Sequence, residues 1–241
     1  MEKIIEVKNL YKSFSVGNEE VNVLKDISLD IYKGEFVSIM GPSGCGKSTL
    51  LYLLGGLDKP TGGNIYIRNQ EISRLKDREI SKVRRRELGF VFQFYNLVQN
   101  LNLEDNILLP ILLDGGKPKE YKEKLNEMLN IIELSHKRKA LPRELSGGQQ
   151  QRVAIARALI NNPDLILADE PIGNLDSKTG TEIMKLFKRI NKEKGVTIVN
   201  VTHSKESADY GTHIIYLKDG EILNHEKIIK DEAAFTKENK E

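Results

Sequence analysis

Residues 41–48 read Gly41-Pro42-Ser43-Gly44-Cys45-Gly46-Lys47-Ser48, and three kinds of phosphate chemistry meet in that run. Glycines let successive backbone N–H groups turn inward around an anion. Lys47 adds a cation that reaches the outer phosphates, and the Ser48 hydroxyl is an oxygen ligand for Mg2+. The spacing is G-x-x-x-x-G-K-[ST], that of a loop holding a nucleoside triphosphate. The competing reading is a Gly-rich turn with an incidental lysine. The context opposes it: 36–40 is an apolar run that reads as a buried strand, and 49–54 reads as a helix ending at Gly55-Gly56. A helix starting at the loop points its positive end at the anion.

Other polar groups recur in a matching setting. Gln93, Asp169-Glu170 and His203 each follow an apolar, strand-like run, at 88–92, 165–168 and 196–201. In an open α/β sheet, ligands bind outside the carboxyl ends of the strands, so these groups are expected to share one site. Asp169 suits Mg2+, held directly or through water. Glu170 suits a water to be oriented or deprotonated for in-line attack on a γ-phosphate. Gln93 is expected to accept from that water or to ligate Mg2+ through its amide, and His203 to hydrogen-bond the γ-phosphate. The bland alternatives are a helix N-terminus or solvated turn for Asp169-Glu170 and a structural role for the histidine.

A second Gly-rich segment, Leu145-Ser146-Gly147-Gly148-Gln149, opens a helix bearing Val153, Ile155, Ala156, Leu159 and Ile160. Ser146 and Gln149 fit a capping box. That box leaves Gly147 and Gly148 unexplained, since glycine costs about 1 kcal/mol within a helix; close approach of this backbone to something else is the better account.

These groups need a scaffold. Residues 4–10 and 21–31 alternate apolar and polar around Gly17-Asn18, which predicts antiparallel strands with one wet face. Tyr11 and Phe14 near that turn are either packing residues or a platform for an adenine ring. Lys59-Pro60-Thr61-Gly62-Gly63 is a turn, 64–67 a short strand and 77–86 a charged helix. From 94 to 162 helical patterns replace β-branched alternation, with 119–132 an amphipathic helix presenting Leu125, Met128, Leu129 and Ile132. A further helix is expected at 178–193, and a hairpin around Lys218-Asp219-Gly220. The fold class is therefore α/β: a P-loop core with a mostly parallel sheet, an N-terminal antiparallel β subdomain and an inserted helical subdomain at about 94–162. One domain is expected over 1–225, followed by a charged tail at 226–241.

Charge and composition narrow the partners. Of 241 residues, 37 are Lys or Arg and 35 Asp or Glu, a net charge of +2 that does not suggest a nucleic-acid surface. Arg84-Arg85-Arg86 is interleaved with acids and reads as a solvated helix face, lipid or phosphate contact being the alternative. Cys45 is the single cysteine, so no internal disulfide forms, as in a reducing compartment. The start Met1-Glu2-Lys3-Ile4 has no apolar leader, and no apolar run is long enough to span a bilayer. A cytoplasmic location is expected, with any membrane part supplied by a partner.

Together these segments resemble the nucleotide-binding subunit of ATP-binding cassette (ABC) transporters, over about residues 4–223. In that family 41–48 corresponds to the Walker A loop, Gln93 to the Q-loop, 145–149 to the signature, 165–169 to Walker B and Glu170 to the catalytic glutamate. Asn174-Leu175-Asp176 corresponds to the D-loop, and His203 to the switch histidine. The resemblance implies RecA-like topology, ATP and Mg2+ as cofactors, and Glu170, His203 and Gln93 as catalytic residues. It implies Mg2+ on Ser48, Gln93 and Asp169. It implies nucleotide contacts from Phe14 (with Tyr11 second), Gly41, Pro42, Ser43, Gly44, Cys45, Gly46, Lys47, Ser48 and Thr49, and from Ser146, Gly147, Gly148, Gln149 and Asp176. The last group would act across a head-to-tail dimer, each signature closing over the partner's ATP.

Stretches such as 34–44, Arg85-Arg86, 89–93 and Ala168-Asp169-Glu170-Pro171 resemble the MacB/LolD group, which is related to FtsE. This implies a separate MacB- or FtsX-like permease and a place at the inner face of the membrane. The segment Phe94, Tyr95, Leu97, Val98 and Leu101 is expected to meet that permease, core packing being the alternative. Cys45, Ile172 and Ser204 depart from the usual residues. Functionally, a transport motor is expected. The rival readings are an FtsE-like transmitter controlling a cell-wall hydrolase or sensor without transport, and a soluble ABC ATPase acting on DNA or the ribosome. The last normally needs a long coiled-coil insertion or two cassettes.

Overall fold

The computed structural model describes residues 2–228. Strands β1 (Lys3–Val16) and β2 (Glu19–Tyr32) pair antiparallel about the Gly17-Asn18 turn, burying Ile5, Val7, Ile27, Leu29 and Ile31. Then come β3 (Phe36–Met40), α1 (Lys47–Leu54), β4 (Gly62–Ile67), β5 (Gln70–Glu71), α2 (Asp77–Arg86) and β6 (Leu88–Phe92). Helices α3 (Leu103–Leu113), α4 (Lys122–Ile131) and α5 (Gly147–Leu159) follow. The remaining elements are β7 (Leu165–Asp169), α6 (Ser177–Lys194), β8 (Thr197–Thr202), α7 (Lys205–Ala208), β9 (His213–Lys218) and β10 (Glu221–Lys227).

Two sheets result. A four-stranded antiparallel sheet has the order β2-β1-β4-β5, and a six-stranded sheet the order β10-β9-β3-β8-β7-β6. In the second, only β10 runs antiparallel. This is the expected α/β architecture. The parallel strands are apolar on both sides because both faces are covered. On β7, Leu165 and Leu167 enter one cluster with Leu50 and Leu54 of α1, Ile80 of α2 and the antiparallel sheet. Ile166 and Ala168 enter the other cluster, with Ile107, Leu129, Val153 and Ile183 of α3, α4, α5 and α6.

Several local expectations change. The helix expected at 119–132 is a 3-10 turn, Pro118–Tyr121, followed by α4. Pro118 opens that turn, and Tyr121, at φ −108° and ψ 13°, interrupts it before α4 begins. Helix α3 is weakly marked in the sequence: after a polar first turn capped by Asn102, residues 107–113 are apolar with no polar face and include Pro110. Its Asn106 is fully buried and binds Val98 N–H and the carbonyls of Val98, Leu101 and Asn102, which fixes the preceding loop. At the other end β10 continues through Lys227, so the charged tail does not begin at 226; what was expected of 229–241 lies outside the described residues. Arg85 and Arg86 are not a free basic face: both pair with Asp114, while Arg84 donates to Gly56 O.

Candidate active site

The parallel register aligns the strand ends to within one residue. Met40 is opposite Thr202, Val201 opposite Asp169, and Asp169 opposite Phe92. Glu170 and Gln93 therefore stand level with Thr202 and Met40, Gly41 and His203 lie one residue further along, and four adjacent strand ends deliver all four to one edge of the sheet.

The loop between β3 and α1 is tightly determined. Gly46 caps α1 at φ 100°, in the left-handed region that favours glycine, and a Cβ there would meet Leu24 Cδ2 at 2.7 Å. Lys47 is buried and donates from Nζ to Pro42 O at 2.8 Å, so its amine curls back over the loop. Ser43 and Gly44 are exposed at the rim. Cys45 faces inward instead: it is buried in the cluster under α1, and its Sγ would lie 2.8 Å from a Cβ on Gly41. The Cys45 thiol thus packs into the core, away from the exposed rim at Ser43 and Gly44.

Behind the loop, Ser48 Oγ donates to Asp169 Oδ1 and the Tyr52 hydroxyl donates to Asp169 Oδ2, both at 2.8 Å. Tyr52 is a site residue that sequence reasoning missed. Its signal was the i, i+4 spacing from Ser48, which puts both hydroxyls on one face of α1. Burial first, and then Asp169, pushes the Tyr52 hydroxyl up to about 12, so it stays a donor. The Ser48–Asp169 pair suits Mg2+, which takes one or two protein oxygens and fills its octahedron with water and phosphate. Among the described residues no group of three or more His, Cys, Asp and Glu is placed to hold a metal ion.

Glu170 stands at φ 43°, a left-handed conformation for a non-glycine residue, immediately before Pro171. Its N–H donates to Val201 O at 3.0 Å, and Gly173 N–H donates to Glu170 O at 3.0 Å. Its Oε1 lies 3.1 Å from His203 Nδ1. Gln93 is tied to the segment after Glu170: Nε2 donates to Asn174 Oδ1 at 3.3 Å, and Asn174 Nδ2 donates back to Gln93 O at 3.2 Å.

The 145–149 segment has its own intramolecular packing. Ser146 accepts from Gln149 N–H at 3.3 Å, and Gln149 accepts from Ser146 N–H at 3.1 Å, the expected capping box. A Cβ on Gly147 would lie 2.6 Å from the Tyr95 hydroxyl, and one on Gly148 2.3 Å from Thr179 Cγ2. The close approach anticipated for these glycines thus already exists within one chain. Asp176 caps α6, accepting from Thr179 N–H at 3.0 Å; the Thr179 hydroxyl, then its N–H, holds the carboxyl below its ordinary range. Ser204 caps α7 through Ser207 N–H, and Ile172 packs against the core. Phe14 is exposed, and Lys12 Nζ sits 4.6 Å from its ring centroid while bound to Asp58 and to Lys59 O. Tyr11 is equally exposed, beside Gly62.

The profile of the ABC transporter family matches residues 24–173, from β2 past Glu170. The chain belongs to the ABC transporter family. It is an ATP-binding subunit and an ABC ATPase. A solved dimeric structure of the ATP-binding cassette MJ0796, in a post-hydrolysis state with ADP and Pi bound, matches with a TM-score of 0.86 and 48% identity, covering 94% of this chain and all of that one. The lipoprotein-releasing system ATP-binding protein LolD of Geobacter metallireducens is 41% identical, over 92% of this chain and 99% of its own length. The macrolide export ATP-binding/permease protein MacB of Acinetobacter baylyi is 43% identical over 96% of this chain, which spans 35% of that longer protein. Among the described residues of this ABC subunit no helix is long and apolar enough to cross a membrane.

Proposed function

We propose that this ABC subunit is the motor of an exporter-like complex of MacB/LolD type, in which two copies pair head to tail and drive a separate membrane permease. The observation that carries the reading is the gathering of Gly41, Gln93, Glu170 and His203 at one sheet edge, beside the Ser48–Asp169 pair. The loop at 41–49 and Lys47 hold the phosphates, with Ser48, Asp169 and Gln93 serving Mg2+. Glu170 takes the proton of a water whose oxygen bonds the γ-phosphorus, the bond to the bridging oxygen breaks, and ADP and phosphate leave. His203, beside Glu170, hydrogen-bonds the γ-phosphate. Phe14 stacks on adenine. Ser146, Gly147, Gly148, Gln149 and Asp176 come from the second copy, as the dimeric form of the related cassette supports.

The permease contact narrows. Of the apolar segment after Gln93, Leu97 is buried and Tyr95 packs on the core, while Phe94 and Val98 are exposed at 70% and 41%. Phe94 and Val98 are the residues to meet a permease helix, which would hold the subunit at the inner face of the membrane.

The test uses Glu170→Gln, which should keep ATP, lose turnover and elute as a dimer with ATP. Adding Ser146→Arg should leave ATP binding intact and return the protein to the monomer. Equal dimerisation of the two proteins would refute the head-to-tail arrangement, and near-parent hydrolysis by Glu170→Gln would refute the base. A membrane protein crosslinked through Phe94 would identify the permease.

A further inference from the structure

Gln151 lies one turn into α5 and is fully buried. Its Nε2 donates to Pro171 O at 2.6 Å and to Phe92 O at 3.3 Å, while Oε1 has no partner among the described residues. The amide orientation is settled by chemistry, because exchanging N and O would set an acceptor against two carbonyl oxygens. An unpaired buried oxygen is a cost that a leucine of similar size would not carry. The two carbonyls are those next to the site: Phe92 precedes Gln93, and Pro171 follows Glu170.

Glu170 adds a reason for the clamp. A left-handed residue followed by proline persists only where its surroundings over-determine it. The hydrogen bonds with Val201 and Gly173 hold the Glu170 peptides, and Gln151 holds the next one. Gln151 is rooted in the helix that begins at Gly147, whose first residues wedge between Tyr95 and Thr179.

We infer that Gln151 is a positioning residue, which sets the backbone of Glu170 and Gln93 from the signature helix and so couples the seating of that helix to the chemistry. The inference rests on the reading of Glu170 as the base and deepens it. The test compares Gln151→Leu, Gln151→Met and Gln151→Glu with Glu170→Gln, all in the full chain, by ATPase kinetics, nucleotide binding and thermal unfolding. Gln151→Leu, or Gln151→Met if the leucine variant does not fold, should lower kcat about tenfold or more, with KM for ATP within about twofold. The unfolding midpoint should be unchanged or higher.

Gln151→Glu should work at acid pH, where the protonated acid donates to Pro171 O. It should lose activity as pH rises, because a carboxylate repels both carbonyls; the parent profile lacks that loss. A parent-like kcat in the apolar variants, kcat falling only in step with KM and midpoint, or a Gln151→Glu profile superposing on the parent's would each overturn the inference. If Glu170→Gln is inactive while Gln151→Leu is parent-like, the clamp alone fails. If Glu170→Gln turns over normally, the assignment of the base fails instead.

Discussion

Glu170 Oε1 and His203 Nδ1 lie 3.1 Å apart, joining the ends of β7 and β8. The contact is between side chains, while the Glu170 backbone is held independently by Val201 O. Removing the imidazole therefore leaves the Glu170 backbone in place and takes away what His203 adds at the carboxyl. His203→Ala should lower kcat by about 10²-fold or more and change KM for ATP only a few-fold. Steady-state ATPase assays decide this; a parent-like kcat would remove His203 from the catalytic set.

The two oxygens of Asp169 are divided between Ser48 and Tyr52. Tyr52→Phe keeps the ring and removes one donor, freeing the carboxylate to rotate. Apparent affinity for Mg2+ in nucleotide binding should weaken by about three- to tenfold. ATP binding without metal should not change. Because the Tyr52 hydroxyl keeps its proton up to about 12, the difference should be constant across neutral pH.

Cys45 is buried, so its thiol is shielded from solvent although the residue belongs to the phosphate loop. A colorimetric thiol reagent should label the native protein at least about tenfold more slowly than the unfolded chain. Fast native labelling would contradict the inward orientation.

Glu104, in the first turn of α3, holds Arg138 and Lys139. Burial alone would raise its carboxyl, but Lys139 and Arg138 outweigh it and hold the group below its ordinary range. Its contribution is thus present above the unfolded value, near about 4.3, and is lost as pH falls through the lower folded value. Glu104→Gln should cost about 1–2 kcal/mol at neutral pH after solvent screening. The difference between variant and parent midpoints should vanish in acid. A midpoint difference that persists in acid would mean that the loss is steric.

Local sequence determined what depends on neighbours along the chain. The glycine spacing and Lys47 mark the loop, period-two alternation marks β1 and β2, and the Ser146–Gln149 box marks the start of α5. The strand-end pattern even implied a common site edge, because parallel strands put their carboxyl ends together. Contacts across the chain were decided only by tertiary structure. Tyr52 reaches Asp169 across 117 residues and Gln93 reaches Asn174 across 81, distances over which no spacing rule operates. Gln151 looks like one more polar residue in a Gln-rich helix start until the sheet brings Phe92 and Pro171 against it. Cys45 shows the converse. Its backbone belongs to the phosphate loop, but the packing of α1 on the sheet turned its side chain into the core.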